Sequence, residues 1–310
     1  MQGRIIKNIS NDYTIDSNGI EYICKPRGKF RIKNNTPLVG DLVIFDEINK
    51  YITDILPRKN ELIRPSIANI DIAVIVTSVK KPNFDTTLLD KNLTIISYNN
   101  IIPVIYLTKL DLLTKEETKE INNYINYYKK IGYIVSTNVV DLLKIIKNKT
   151  VVLTGQSGAG KSTLLNKINP LLKLKTDEIS ESLGRGKHTT RHTELYNINE
   201  TFIADTPGFS KIDFIGMTPI DIRDNMKEMF ENLEYCKYAD CMHISEDGCK
   251  VIELLNKKEI LSTRYNNYKY FISRWSNENS NVNSIIKWSN QMYKRIKYNN
   301  NWLHTHRCNG

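Results

Sequence analysis

The sequence predicts a three-part α/β protein: a small β-barrel, a central domain on a mainly parallel sheet, and a helical segment around a Cys/His cluster. Three observations predict it. Short β-rich runs separated by polar and Gly/Pro turns fill the chain up to Leu56, and unbroken Val/Ile runs alternate with helical patterns from Pro65 onward. Three cysteines and a histidine then crowd between Cys236 and Cys249. At 310 residues the chain has room for two or three domains, each with a core of its own.

The first runs are Arg4 to Ile9, Ile20 to Lys25, Lys29 to Ile32, Asp41 to Phe45 and Tyr51 to Leu56, with turns at Lys25-Pro-Arg-Gly and Pro37-Leu-Val-Gly-Asp. They predict an OB-type barrel over residues 1–64. Lys25, Arg27, Lys29, Arg31 and Lys33 alternate, so in an extended strand they share one face. That face either follows a phosphate backbone or is a solvated edge.

Strands are expected at Ile70 to Thr77, Ile101 to Leu107, Tyr133 to Ser136, Val151 to Thr154 and Phe202 to Ala204. Helices are expected at Leu88 to Tyr98, Glu116 to Lys130, Val139 to Lys147 and Lys161 to Ile168, which gives an α/β domain over residues 65–218. Residues 219–273 read as helical. Residues 274–310 are basic and Asn-rich, the composition of a disordered tail with one helix near Ile285 to Tyr298.

Lys and Arg outnumber Asp and Glu by 44 to 34, a formal charge of +10. Such an excess favours a phosphate-rich partner, nucleic acid first, although AT-rich coding also inflates Lys, Ile and Asn. The opening MQGRIIKNIS lacks the apolar core of a signal peptide, and no run approaches the roughly 20 apolar residues of a membrane span. A cytoplasmic monomer that touches no membrane is expected.

Gly155-Gln-Ser-Gly-Ala-Gly160-Lys161-Ser162 is GxxxxGKS between an apolar strand and a helix that opens at Thr163. That context is what a P-loop requires. The backbone N–H groups of Gly155, Gln156, Ser157, Gly158, Ala159 and Gly160 can curl around phosphates. Lys161 reaches the β and γ oxygens, and Ser162 offers a hydroxyl to Mg²⁺. Thr201-Phe-Ile-Ala-Asp205-Thr-Pro-Gly208 is an apolar strand ending in DTPG. Behind a P-loop, Asp205 can hold the magnesium shell and the Gly208 N–H can sense a γ-phosphate.

Choosing guanine requires a carboxylate to accept from N1–H and the 2-amino group. Asp111 fits, in Thr108-Lys109-Leu110-Asp111 at the end of an apolar strand. Lys109 would lay its stem along the base, and Ser136 after Tyr133-Ile-Val could add a backbone contact.

The order of these pieces is base loop, Ser loop, P-loop, Gly184-Arg-Gly-Lys-His188-Thr-Thr-Arg-His192, then DTPG. In ordinary GTPases the P-loop comes first. With the Cys/His cluster behind it, this order resembles the circularly permuted small-ribosomal-subunit biogenesis GTPases, the RsgA (YjeQ) family, over about residues 1–272. The resemblance implies a permuted GTPase domain between an OB barrel and a zinc domain, acting on the 30S subunit and 16S rRNA with GTP and Mg²⁺. Thr108 departs from the usual Asn, so a weaker side-chain tie between base loop and P-loop is expected.

Phe209 follows Gly208 where many GTPases carry a water-positioning Gln. The family resemblance nominates His188 in its place, with Thr189 or Thr190, preferably Thr190, closing on Mg²⁺. A neutral imidazole can orient water or act as a base; alternatively His188 contacts solvent or RNA. The loop from about Lys175 to Thr193 has few apolar anchors, so it is expected to order only with GTP and a partner, and basal turnover to be slow.

Cys236, Cys241, His243 and Cys249 form a Cys₃His set, which fills a tetrahedral zinc site and leaves no position for water. A structural zinc is therefore expected. Two other functions compete: an RNA-binding scaffold gated by nucleotide, with incidental hydrolysis, and an ATP-dependent P-loop enzyme, against which Asp111 argues.

Overall fold

The computed structural model describes residues 1–28, 30, 36–63, 66–170, 194–205 and 213–279. Five strands form the N-terminal barrel: β1 (Gln2–Ile9), β2 (Asp12–Ser17), β3 (Ile20–Pro26), β4 (Leu42–Asp46) and β5 (Tyr51–Ile55). β1 pairs antiparallel with both β2 and β4, while β5 joins β4 to β3, which closes the barrel. Alternating Tyr13, Ile15, Val43, Phe45 and Ile52 fill its interior.

One of these five, Asp12–Ser17, is not among the expected strands; of the expected strand Lys29 to Ile32, only Phe30 lies within the described residues. Ser10 and Asn11 both have positive φ, 50° and 72°, the backbone of a tight hairpin turn that folds β2 directly onto β1. β3 stops at Pro26, and the Phe30 N–H donates to the Arg27 carbonyl at 3.1 Å in a helical turn. Lys25 and Arg27 therefore do not begin one long basic strand; Lys29, Arg31 and Lys33 lie outside the described residues.

A short hairpin, β6 (Glu61–Ile63) with β7 (Ser66–Ala68), leads into the central sheet. There β8 (Ile72–Ser78), β9 (Ile102–Thr108), β10 (Ile134–Ser136) and β11 (Thr150–Thr154) are followed by β12 (Glu194–Ile198) and β13 (Thr201–Asp205). The spatial order is β10-β9-β8-β11-β13-β12, parallel except for β12. β12 then pairs with β1, so one eleven-stranded sheet runs from the central domain into the barrel.

Helices α1 (Thr86–Tyr98), α2 (Lys115–Lys130), α3 (Val139–Ile146) and α4 (Lys161–Ile168) cover both faces of the sheet. Asp85 caps α1, Thr114 and Glu117 form a reciprocal capping box on α2, and Asn138 caps α3. Alternation sorts the strands' side chains. Ile75, Ile105 and Leu107 pack with Leu89, Leu93 and Ile121, whereas Val74, Val104 and Tyr106 pack with Leu142 and Leu164.

The helical region comprises α5 (Pro219–Asp224), α6 (Lys227–Glu231), α7 (Lys250–Asn256) and α8 (Ser262–Asn279). α8 continues past residue 273, so the first residues of the expected tail are helical; the helix expected near 285–298 lies outside the described residues. No helix among the described residues is long and apolar enough to cross a membrane.

A buried ionic network bolts this region to α1 and α2. The Arg264 guanidinium, fully buried, donates to Asp90 at 2.7 Å and to Glu228 at 2.9 and 2.5 Å. Tyr127 donates to Glu228 at 2.8 Å, Tyr128 to Asp90 at 2.6 Å, and Asn267 to Asp90 at 2.6 Å. Burial raises the Asp90 pKa above its ordinary value despite Arg264. Burial also opposes ionisation of Glu228, but there the charge and hydrogen bonds of Arg264 prevail and the pKa falls.

Candidate functional site

Because the five central strands are parallel, Ser136, Thr108, Ser78, Thr154 and Asp205 all end on one edge of the sheet. From β8 the chain winds outward to β9 and β10, then returns to place β11 on the other side of β8. The loop after β11 thus leaves at the topological switch point, where open α/β sheets bind ligands. Permutation changes the order of motifs along the chain without moving them from this edge.

The loop after β11 is the predicted P-loop. Gly155, Gly158 and Gly160 have φ of 133°, 73° and 97°, a path that only glycine follows without strain. Gly155 also presses against β8, since a Cβ there would lie 2.0 Å from the Val76 carbonyl oxygen. α4 begins at Lys161 with Gly160 as its cap, leaving the first-turn N–H groups of Lys161, Ser162 and Thr163 without intrahelical acceptors. The Lys161 ammonium folds back onto the Gly155 and Gln156 carbonyls at 2.7 and 2.9 Å.

Beside it stands the base loop. Lys109 has φ of 62° and starts a 3₁₀ turn, Leu110–Leu112, that presents Asp111 at the surface. The Lys109 ammonium donates to the Gly158 carbonyl at 2.9 Å and to that of Lys81. The Thr108 hydroxyl donates to the Ala159 carbonyl at 2.7 Å. Thr108 thus ties the base loop to the P-loop directly, through one hydroxyl. Between the two loops opens a cavity of about 300 Å³, with Thr108, Lys109, Asp111, Gly160 and Thr163 in its wall.

Ser136 lies beneath this wall, 5% exposed, with its hydroxyl on the Asn138 carbonyl at 3.0 Å. The next residue, Thr137, faces the cavity, as does Lys167 one turn along α4. Neither stood out in the sequence, because both lie just beyond the recognisable motifs. Asp205 ends β13 directly opposite Glu194 in the ladder. His188, Thr189, Thr190, Gly208 and Phe209 lie outside the described residues.

The Cys/His cluster assembles as its composition predicts. The ligand atoms of Cys236, Cys241, His243 and Cys249 all lie within 4.8 Å of one another. His243 adopts a left-handed φ of 58° and is fully buried, its Nδ1 3.3 Å from the Cys249 sulfur and 3.6 Å from that of Cys236. Its Nε2 sits 3.0 Å from the Met229 carbonyl, which makes Nε2 the protonated nitrogen and turns Nδ1 toward the sulfurs. Burial, with the neighbouring Cys249 and Cys236 sulfurs, pushes the Cys241 thiol up to about 12. Burial likewise lowers the His243 pKa. Three sulfurs around a neutral imidazole fit zinc, and the inward Nδ1 would be its nitrogen donor.

Comparison with known proteins agrees with this geometry. Residues 55–215 match the model of the RsgA GTPase family and residues 2–52 that of the RsgA N-terminal domain. Residues 150–281 also match a broader model, described as 50S ribosome-binding GTPase; it starts at the P-loop strand and leaves Asp111 upstream. Small ribosomal subunit biogenesis GTPase RsgA from Streptococcus agalactiae is 43% identical over 93% of this chain and 99% of its own length. The protein named RsgA 2 from Oceanobacillus iheyensis is 46% identical over 87% and 96%.

Among solved structures, YloQ, described as a circularly permuted GTPase, superposes with a TM-score of 0.76 at 34% identity, covering 89% of this chain and 95% of its own. YjeQ from Thermotoga maritima gives 0.76 at 31%, covering 88% and 98%. The permuted motifs gathered on one sheet edge and full-length kinship to these proteins lead to one assignment: the chain belongs to the RsgA family of circularly permuted GTPases.

Proposed function

We propose that the chain hydrolyses GTP to GDP and phosphate on the 30S ribosomal subunit and serves the late maturation of that subunit. The observation that carries this is the Thr108–Ala159 tie, which holds the guanine-selecting loop against the P-loop across one cavity. The names of its relatives supply the ribosomal setting.

In this reading Asp111 accepts from the guanine edge, the Lys109 stem lies along the ring, and the Ser136–Thr137 segment backs it. The P-loop amides from Gly155 to Thr163 hold the phosphates, and Lys161 leaves its loop carbonyls to meet the β and γ oxygens. Magnesium, when bound, would neutralise charge between those phosphates. Ser162, Thr190 and Asp205 would hold it, and the Gly208 N–H would meet the γ-phosphate. His188 orients the attacking water in place of the missing Gln. Zinc on Cys236, Cys241, His243 and Cys249 is structural.

The barrel of residues 1–64 and the helical domain of residues 219–273 flank the GTPase domain of residues 65–218 and grip 16S rRNA. The protein works as a cytoplasmic monomer.

Turnover of GTP and ATP, each with and without 30S subunits, tests the reading. GTP preference with strong stimulation is expected. ATP preference would overturn the base assignment, and unstimulated turnover would favour the nucleotide-gated scaffold. His188→Ala should keep GTP affinity and lose stimulated turnover; retained stimulation would remove His188 from the chemistry.

A further inference from the structure

Three barrel side chains reach across to the β12–β13 hairpin. Lys7 forms an ion pair with Glu194 at 2.9 Å, with both side chains half-buried. Asp16 accepts from the Asn197 amide at 2.9 Å. The Arg4 guanidinium lies over the Phe202 ring, 5.0 Å from its centre. The backbone register repeats the link: Lys7 stands opposite Glu194, and Glu194 stands opposite Asp205. One line of the ladder therefore runs from the barrel to the residue that ends β13.

Without β1, β12 would be a sheet edge, held only by β13. Lys7 supplies the charge opposite to that of Glu194, while Arg4 and Asp16 hold the far end of the same hairpin.

We infer that Arg4, Lys7 and Asp16 are positioning residues for the magnesium side of the nucleotide site, fixing the β12–β13 hairpin and with it the place of Asp205. This rests on the assignment of Asp205 to the magnesium shell in the proposed function. The barrel is then part of the GTPase site as well as a neighbour of it. A partner that strains the barrel changes magnesium retention before it touches the nucleotide.

The test is a Mg²⁺ titration of nucleotide retention by the full-length chain, read with a fluorescent GDP analogue. The double variant Arg4→Gln/Lys7→Gln should need about fivefold more Mg²⁺ for half-maximal retention, the scale expected for losing one ion pair and one cation–π contact. Its GDP affinity without Mg²⁺ should stay within about twofold of the unaltered chain, because the P-loop is untouched. Asn197→Ala, a mild change at the exposed contact, should shift the titration in the same direction. Lys7→Glu should weaken retention, and Glu194→Lys added to it should restore it.

Unchanged Mg²⁺ dependence in these variants would overturn the inference. So would shifts of opposite sign for Lys7→Gln and Glu194→Gln, which would mean a field effect instead of a strut. If the unaltered chain retains GDP with no Mg²⁺ dependence, the magnesium assignment fails first.

Discussion

The Thr108 hydroxyl and the Ala159 carbonyl, 2.7 Å apart, join the end of β9 to the P-loop. Asn at this position would bridge the loops with an amide; Thr does so with a shorter side chain and a single hydroxyl. A Cβ at Gly160 would meet the Thr108 methyl at 3.8 Å, an ordinary contact, so it is the φ of 97° that calls for glycine there. Thr108→Val keeps the shape and removes the donor, stranding the carbonyl of the buried Ala159. A lost hydrogen bond of about 1 kcal/mol predicts roughly fivefold weaker GDP and GTP binding. Calorimetric titration of both nucleotides checks this; equal losses for each are expected, because the tie serves the base and not the γ-phosphate.

Gly155→Ala should do far more damage. The new methyl would meet the Val76 carbonyl oxygen at 2.0 Å, with backbone on both sides and a φ of 133° that alanine resists. Neither strand can yield without breaking the β8–β11 ladder. Loss of detectable nucleotide binding is expected, with destabilisation above about 2 kcal/mol in a denaturant titration.

The motifs were legible because each combines a short spacing with a fixed chemistry. GxxxxGKS, TKLD, DTPG and the Cys₃His set needed only their order and their flanking strands to be read. What escaped depended on pairing across long separations or on turn geometry. Asp12–Ser17 alternates as a strand should, but its signal is the positive-φ turn at Ser10 and Asn11, which carries no glycine. β12 is not among the expected strands; its pairing with β13 and β1 is what defines it. The Arg264 network joins residues up to 177 positions apart, and nothing local in Asp90 or Glu228 announces burial.

That network predicts a large loss on disruption. Arg264→Met leaves Asp90 and Glu228 buried without their cation, which costs about 3–5 kcal/mol, whereas Arg264→Met/Asp90→Asn/Glu228→Gln should recover much of it. The pH dependence of the parent has two opposing parts. Glu228, with its lowered pKa, contributes stability above its unfolded pKa that is lost as pH falls through its folded value. Asp90, with its raised pKa, contributes stability at low pH that is lost as pH rises through its folded value. In denaturant titrations between pH 3 and pH 7, roughly the carboxylate range, the parent should lose its advantage over the triple variant toward the acidic end if Glu228 dominates.

Removing the metal should loosen more than the cluster. Tyr265 donates to the His243 carbonyl at 2.8 Å and Tyr268 to that of Met242 at 2.6 Å, so α8 is hung directly on the loop that carries the Cys/His cluster. α8 also carries Arg264 and Asn267, which hold α1 through Asp90. Without a metal, burial keeps the Cys241 thiol protonated at neutral pH, its pKa near 12, and nothing would replace the bonds a zinc ion would make. Binding energy on the order of 10 kcal/mol is coupled to folding in sites of this kind. Chelation, or Cys241→Ser, should therefore lower the unfolding midpoint and raise amide hydrogen exchange along α8 and at the α1 contact, while β8 and β9 stay protected. One equivalent of zinc in the purified parent is the matching expectation. A metal-free parent with the same exchange pattern would show that packing alone holds the domain.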